Sequence, residues 1–295
     1  MAAQVFRRTR HTGLYDYLGG LRKLRFFRLT TLAKVAFILS ARCMFAEDLK
    51  LRLVDQSDVE TRLRAGVVPA GEREDLIAKL FREAGCEVSR QKVNKRSSNV
   101  ICRLRGETPA TIVVGGHFDF AEQGKGIVDD WSGTSLLPSL FEALKSAHRT
   151  HTFEFVAFTA EETGLAGSAR FVKELTAEEK TNLQAFVNLE CLGLNPPKVW
   201  FSRSTPLLVR LLAGVAAAIH IPLQGVNVEK VGDDDTHAFL DKKIRVISIH
   251  SITQETWGIL HSARDNLDVI NSTDYYNAYR LVAFYLAFLD FKLPT

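Results

Sequence analysis

Phe153-Glu-Phe-Val-Ala-Phe-Thr-Ala-Glu-Glu-Thr-Gly-Leu-Ala-Gly-Ser168 is the stretch on which the reading of this chain turns. Its first half, Phe153 to Phe158, is an apolar run rich in Phe and Val, which reads as a strand buried on both faces. Two adjacent carboxylates, Glu161 and Glu162, follow, and then a Gly-rich turn. Adjacent carboxylates at a buried strand end repel each other and cost free energy unless a cation holds them. A divalent metal satisfies that need: one carboxylate binds it while the other takes a proton from the attacking water. A solvated Glu pair opening a helix, where the dipole favours anions, fits the same residues. In isolation the pair does not decide between the two.

Four further segments carry similar chemistry. Thr111-Ile-Val-Val-Gly-Gly-His117-Phe-Asp119 is another apolar run opening into a turn, with His117 as a candidate ligand and Asp119 as the carboxylate that fixes its tautomer. Gly126-Ile-Val-Asp129-Asp130-Trp-Ser-Gly133 precedes a helical segment, Ser132 to Ala147. Phe186-Val-Asn-Leu-Glu190 ends a further apolar run in an acid, and Ile259-Leu-His261-Ser-Ala-Arg-Asp265 adds a second His with an acid nearby. A lone His or a lone acid is usually structural. Open α/β sheets, however, gather distant residues at the carboxyl ends of their strands, and that is where these positions fall.

The order His-x-Asp, Asp-Asp-x-Ser-Gly, Glu-Glu-x-Gly-Leu-x-Gly-Ser, a strand-end acid and a late His-x-x-x-Asp, from about Asn99 to Asp268, resembles the co-catalytic zinc aminopeptidase family, which includes bacterial leucyl aminopeptidases and glutamate carboxypeptidase II. The resemblance implies that Asp129 bridges two zinc ions. His117 and Glu190 would complete one site, Glu162 and His261 the other. It makes Glu161 the general base and Asp119 the residue orienting His117, and it puts a cis peptide after Asp129. Glu190 stands where the aminopeptidases usually carry Asp, which leaves one zinc or two open. Trp131 is bulkier than the usual residue there and is expected at the pocket rim. A peptide is the implied substrate, hydrolysed at its N-terminal bond. Two alternatives stay open: a glutaminyl cyclase-like enzyme with a single zinc, and a non-enzymatic binding protein on the same fold. The Gly232-Asp-Asp-Asp235-Thr-His237 segment lies where the family often has an Asp- and His-containing loop, and Asp235 and His237 are candidate substrate contacts, an acidic solvated loop being the other reading.

The rest of the chain bounds the fold. It has 295 residues, 46% hydrophobic and 24% charged, ordinary for a globular protein. Helical periodicity runs from Gly71 to Ala84, with Gly85 as its stop. Glu87 to Val93 and Asn99 to Arg105 read as a strand pair around a polar turn. Strands near Thr111, Thr152 and Gln184 alternate with helices near Ser132 and Gly167, which argues for parallel crossovers. A helix from Pro206 to His220, a strand from Ile244 to His250 and a closing helix from Ser272 to Phe291 complete the pattern. That helix is expected to be apolar on one side and capped by its leading Thr and Ser. The expectation is an α/β three-layer sandwich: a mostly parallel mixed central sheet with helices on both faces.

Residues 1–46 differ, with nine Lys or Arg against Asp16 alone. The whole chain carries +4, so residues 47–295 are left net acidic at −4. The basic pI therefore belongs to the N-terminus and does not mark a nucleic-acid partner for the catalytic domain, 47–295. Basic residues, then apolar Val35 to Leu39, then Phe-Ala before Glu-Asp, resemble a secretory signal peptide cleaved after Ala46. Export to a secreted or periplasmic location is the expectation, with membrane contact only through this segment if it is uncleaved; a basic amphipathic surface helix and an upstream false start codon are the rival readings. Of four cysteines, Cys86 and Cys102 flank the strand pair and can face each other. Cys191 reads as a small buried filler.

Overall fold

The protein is described here from a computed structural model covering residues 51–230 and 232–295. The signal-peptide reading and its Ala46 boundary lie outside the described residues. Among those residues, no helix is long and apolar enough to cross a membrane.

Six strands form where the sequence reading placed them, β1 (Val88–Lys92), β2 (Ser98–Leu104), β3 (Thr111–His117), β4 (Thr152–Phe158), β5 (Leu183–Leu189) and β8 (Val246–His250), and two short ones, β6 (Lys198–Val199) and β7 (Gln224–Gly225), were not expected. They make one sheet in the order β1-β2-β4-β3-β5-β8-β6-β7. Its centre, β4-β3-β5-β8, is parallel, and antiparallel pairs flank it on both sides. The chain leaves β3 toward β4 on one side and later returns to β5 on the other. This reversal of strand order opens a crevice at the carboxyl ends, where such folds bind ligands.

The period-two alternation of side chains makes the layers. In β4, Phe153, Phe155 and Ala157 enter the larger core, while Val156 and Phe158 enter a second core on the opposite face. Strands β3, β5 and β8 split the same way, with Ile112, Val187 and Ile249 on one side and Val113, Phe186 and Val246 on the other. The larger core is covered by helices α1 (Gln56–Ala65), α2 (Arg73–Glu83), α3 (Leu137–Lys145), α6 (Pro206–Ala218) and α8 (Ser272–Lys292). Helices α4 (Ala166–Glu174) and α7 (Thr236–Leu240) cover the other face, and a short helix α5 (Ala177–Asn182) leads into β5. The three-layer expectation is met.

Some element-level expectations are corrected. The segment expected as one helix from Ser132 is a turn at Ser132–Thr134 followed by α3, which starts around Pro138. Proline lacks an N–H and suits only a helix's first turn. Helix α8 is capped by Asn271, whose side chain accepts the Asp274 N–H at 3.0 Å, and not by Ser272 or Thr273. Nor is α8 one-sided: residues 281–283 and 285–289 are all buried, because α1, α3 and α6 pack around it. Cys86 and Cys102 form a disulfide that fastens β2 to the end of α2, with Cα atoms 6.1 Å apart.

Candidate metal centre

The ends of β3, β4 and β5 each deliver a piece of the site, and Asp129 and His261 join them from loops. His117 is the last residue of β3 and is only 1% exposed. Its Nε2 lies 3.2 Å from Asp129 Oδ1, 3.5 Å from Glu190 Oε1 and 3.8 Å from Glu161 Oε2. The other Asp129 oxygen, Oδ2, lies 3.2 Å from His261 Nε2, which in turn is 2.9 Å from Glu162 Oε2. One carboxylate thus faces two imidazoles with its two oxygens. Three close donor groups result: Asp129 with Glu162 and His261; Asp129 with Glu190 and Cys191; and His117 with Asp130 and Glu190.

The supports are mostly backbone hydrogen bonds. Asp119 accepts the N–H groups of Glu161 and Glu162 at 3.1 and 3.2 Å, tying the β3 loop to the β4 loop. The nearest partner of His117 Nδ1 is the Asp119 carbonyl at 3.1 Å, with the carboxylate at 3.6 Å. The orienting function expected of the Asp119 side chain is therefore shared with its own backbone. Asp130 follows Asp129 through a cis peptide bond, as the resemblance implied. Its carboxylate accepts N–H groups from His117, Gly133 and Cys191 at 3.2, 3.0 and 2.9 Å, so it holds the site's backbone. Gly116 and Gly133 make that room, since a Cβ at either would sit 2.7 Å from an Asp130 oxygen. Asp265 accepts the Val128 and Asp129 N–H groups at 2.7 and 3.3 Å. Its part in holding the Asp129 loop follows from no local pattern, because its partners are 136 and 137 residues away.

Glu190 reaches His117 despite its extra methylene, with Asn188 Nδ2 donating to Oε2 at 3.1 Å. Cys191 is buried with Val128, Trp200, Val228 and Ile252 as a small filler, but just beyond the end of β5 and not within the strand, its thiol 3.3 Å from Glu190 Oε1. Two other expectations are corrected. Trp131 is fully buried away from the rim, its Nε1 donating to the Arg62 carbonyl, because its indole packs against Gly66. His237 is half exposed and turned to Asp233 at 2.6 Å, outside the cleft, because helix α7 points it outward. Asp235 is fully buried behind the cleft wall. Asp233 and Asp234 line the cleft in their place.

The electrostatics are those of crowded carboxylates. Burial, then Asp235, Glu190 and Asp129, push Glu161 up to about 10. Burial and Asp129 raise Glu162 to about 7. Burial alone would lower His117, but Glu161, Asp119, Asp129 and Glu190 raise it well above its ordinary value. Hydrogen bonding to Asp129 raises His261 to about 9. Carboxylates outnumber the two imidazoles here, and apart from the Cys191 thiol the donors are imidazole nitrogens and carboxylate oxygens. That set fits a divalent cation of the zinc type. The cleft beside these donors has a volume of about 450 Å³, with apolar walls from Leu165, Trp200, Val228, Ile252, Trp257 and Leu260.

A model of Peptidase family M28 matches residues 99–286, most of the described domain and every proposed ligand. The chain belongs to that family. Among curated proteins, it is 33% identical to a probable leucine aminopeptidase 2 of Aspergillus oryzae over 36% of this chain and 22% of that protein. It is 30% identical to an aminopeptidase of Bacillus subtilis over 41% of this chain and 26% of that one. The chain thus spans about a quarter or less of the length of these relatives. Among solved structures, a zinc aminopeptidase from Bacillus subtilis covers 64% of this chain and 49% of its own (TM-score 0.59, 24% identity). The LapA aminopeptidase of Legionella pneumophila covers 93% and 79% (TM-score 0.71, 16% identity). A glutaminyl cyclase from Porphyromonas gingivalis covers 80% and 98% (TM-score 0.68, 18% identity). These likenesses share the fold.

Proposed function

We propose that the chain is a zinc-dependent aminopeptidase that binds two ions and removes the N-terminal residue of a peptide. What carries this reading is the division of the Asp129 oxygens, one toward His117 and the other toward His261, with Glu190 and Glu161 beside His117 and Glu162 beside His261. Asp129 would serve both ions, His117 and Glu190 would hold one of them, and Glu162 and His261 would hold the second. Bound there, divalent cations supply Lewis acidity toward the scissile carbonyl and acidify water.

Glu161 is the base. It lines the cleft beside His117, and burial keeps its carboxylate basic. With cations held at the ligand positions that basicity would fall toward neutral pH, where a proton acceptor works best. Glu161 takes a proton from the attacking water and returns it to the departing amine. Asp233 and Asp234, on the cleft wall, attract the substrate's free ammonium, and the apolar wall from Leu165 to Leu260 receives the first side chain. The Cys86–Cys102 disulfide supports export to an oxidising compartment, where such bonds persist.

The test is a peptide with an unblocked Gln-Leu start, incubated with the zinc-loaded protein and read by mass spectrometry. Loss of the first residue, abolished by a chelator and by N-acetylation, is the expected result. Loss of ammonia alone would overturn the aminopeptidase reading in favour of cyclisation.

A further inference from the structure

Arg73, in the first turn of α2, lies outside the residues matched by the family model and is fully buried. Its guanidinium donates to three backbone carbonyls: Phe118 at 3.1 Å, Gly66 at 3.1 Å and Lys125 at 2.5 Å. It also lies 4.3 Å over the Phe120 ring and 5.3 Å from that of Trp131. Burial lowers its pKa to about 10, so it stays cationic at neutral pH, and Asp265, Asp130 and Asp119 are the acids that attract it.

The acceptors are the point. Phe118 directly follows His117, and Lys125 comes just before the Gly126 turn that leads to Asp129. One rigid fork therefore holds both ends of the loop joining these two residues. The Lys125 N–H donates to the Asp265 carbonyl at 3.0 Å, and the Asp265 carboxylate accepts the Asp129 N–H, so the hold continues to the bridging position. At the other end, Asp119 carries it on to Glu161 and Glu162.

We propose that Arg73 is a positioning residue: its planar guanidinium, bonded to the Phe118 and Lys125 carbonyls, sets the spacing of His117 and Asp129 and so the affinity and geometry of the metal centre. Lysine cannot replace it, since a point ammonium does not span diverging carbonyls as a planar fork does. Nor does an alkyl chain of similar length, which leaves those carbonyls buried without partners.

The inference rests on the metal reading above, and the test separates the two. Cobalt is titrated into the full chain and into the R73K and R73M variants, with affinity and visible spectrum recorded. Far-ultraviolet circular dichroism and Tm of the metal-free proteins are measured alongside, with kcat and KM at saturating metal. The expected result is native-like circular dichroism for R73K, cobalt affinity about 10- to 100-fold weaker, the loss typical when a residue supporting metal ligands is removed, an altered cobalt spectrum and a fall in kcat with little change in KM. R73M should lose at least as much affinity. If R73M does not fold, R73K decides alone. A folded R73K with unchanged cobalt affinity and spectrum would overturn the positioning role and leave Arg73 a purely structural cation. Failure of the unsubstituted chain to bind cobalt would instead sink the metal reading, and this inference with it.

Discussion

Glu161 and Asp129 sit within one cluster, yet their removal should have different consequences. Glu161→Gln keeps the shape and every donor of the ligand sets. It should bind zinc with near-native stoichiometry while kcat falls roughly 10²–10⁴-fold, the range for losing a general base. Inductively coupled plasma analysis of the purified variant, set against its turnover, checks both halves. Asp129→Asn removes the carboxylate that both imidazoles face. Here metal content should fall along with activity, and normal zinc content would show that Asp129 does not bridge. Both residues could be named from the sequence, Glu161 because it follows an apolar run and Asp129 because its Asp-Asp-x-Ser-Gly motif resembles the family's. Asp265 could be quoted but not given its role, since its hydrogen bonds cross more than 130 residues.

At the scale of elements, the site depends on how closely loops approach one another. A Cβ on Gly116 would sit 2.7 Å from Asp130 Oδ2 and 3.0 Å from the Leu189 carbonyl. Gly116→Ala should therefore displace the buried carboxylate that holds the His117, Gly133 and Cys191 amides, lowering Tm and metal affinity together. Asn271→Ala, which removes the cap of α8, should cost about 1 kcal/mol by denaturant unfolding and leave kcat unchanged. The helix was legible as a helix, but its cap and its all-round burial were not, because both depend on what packs against it. The flanking strands β6 and β7 show the same division: a two-residue strand carries too little pattern to be read without its partners, β8 and β7 for β6 and β6 for β7.

Across the whole molecule, charge links the site and the C-terminus to pH. Glu162, at about 7, His261, at about 9, and Glu161 and His117, both raised, hold protons near neutrality that a bound cation would displace. Zinc binding should release protons, and its affinity should rise as pH increases through about 7 and on through about 9. Calorimetry in two buffers of different ionisation enthalpy measures that release, and equal apparent enthalpies would refute it. Far from the site, Asp290 near the end of α8 accepts from the His151 and Thr150 N–H groups and pairs with the His151 ring at 3.1 Å. Burial would lower His151, but Asp290 and the Pro294 carbonyl raise it. The stability it contributes is complete below its unfolded value of about 6.5 and is lost as pH rises through the folded one. Asp290 is lowered by its His151 and Thr150 hydrogen bonds against the opposing effect of burial. Its contribution is present above its ordinary value and disappears as pH falls through the depressed one. A Tm–pH profile should therefore flatten on both flanks in Asp290→Asn.

By itself the sequence determined the six longer strands, their alternation with helices and the three-layer fold. Apolar periodicity and short spacings are local, and the ends of β3, β4 and β5 mark where His117, Glu161 and Glu190 must emerge. Only the tertiary structure decided which acids face the cleft. Asp233 and Asp234 line it while Asp235 is buried behind it and His237 points outward, a matter of how α7 is docked. It also turned Trp131 inward onto Gly66 and placed Arg73 beneath the loop between His117 and Asp129. Those outcomes depend on contacts between segments distant in the chain, and no window of sequence contains both partners.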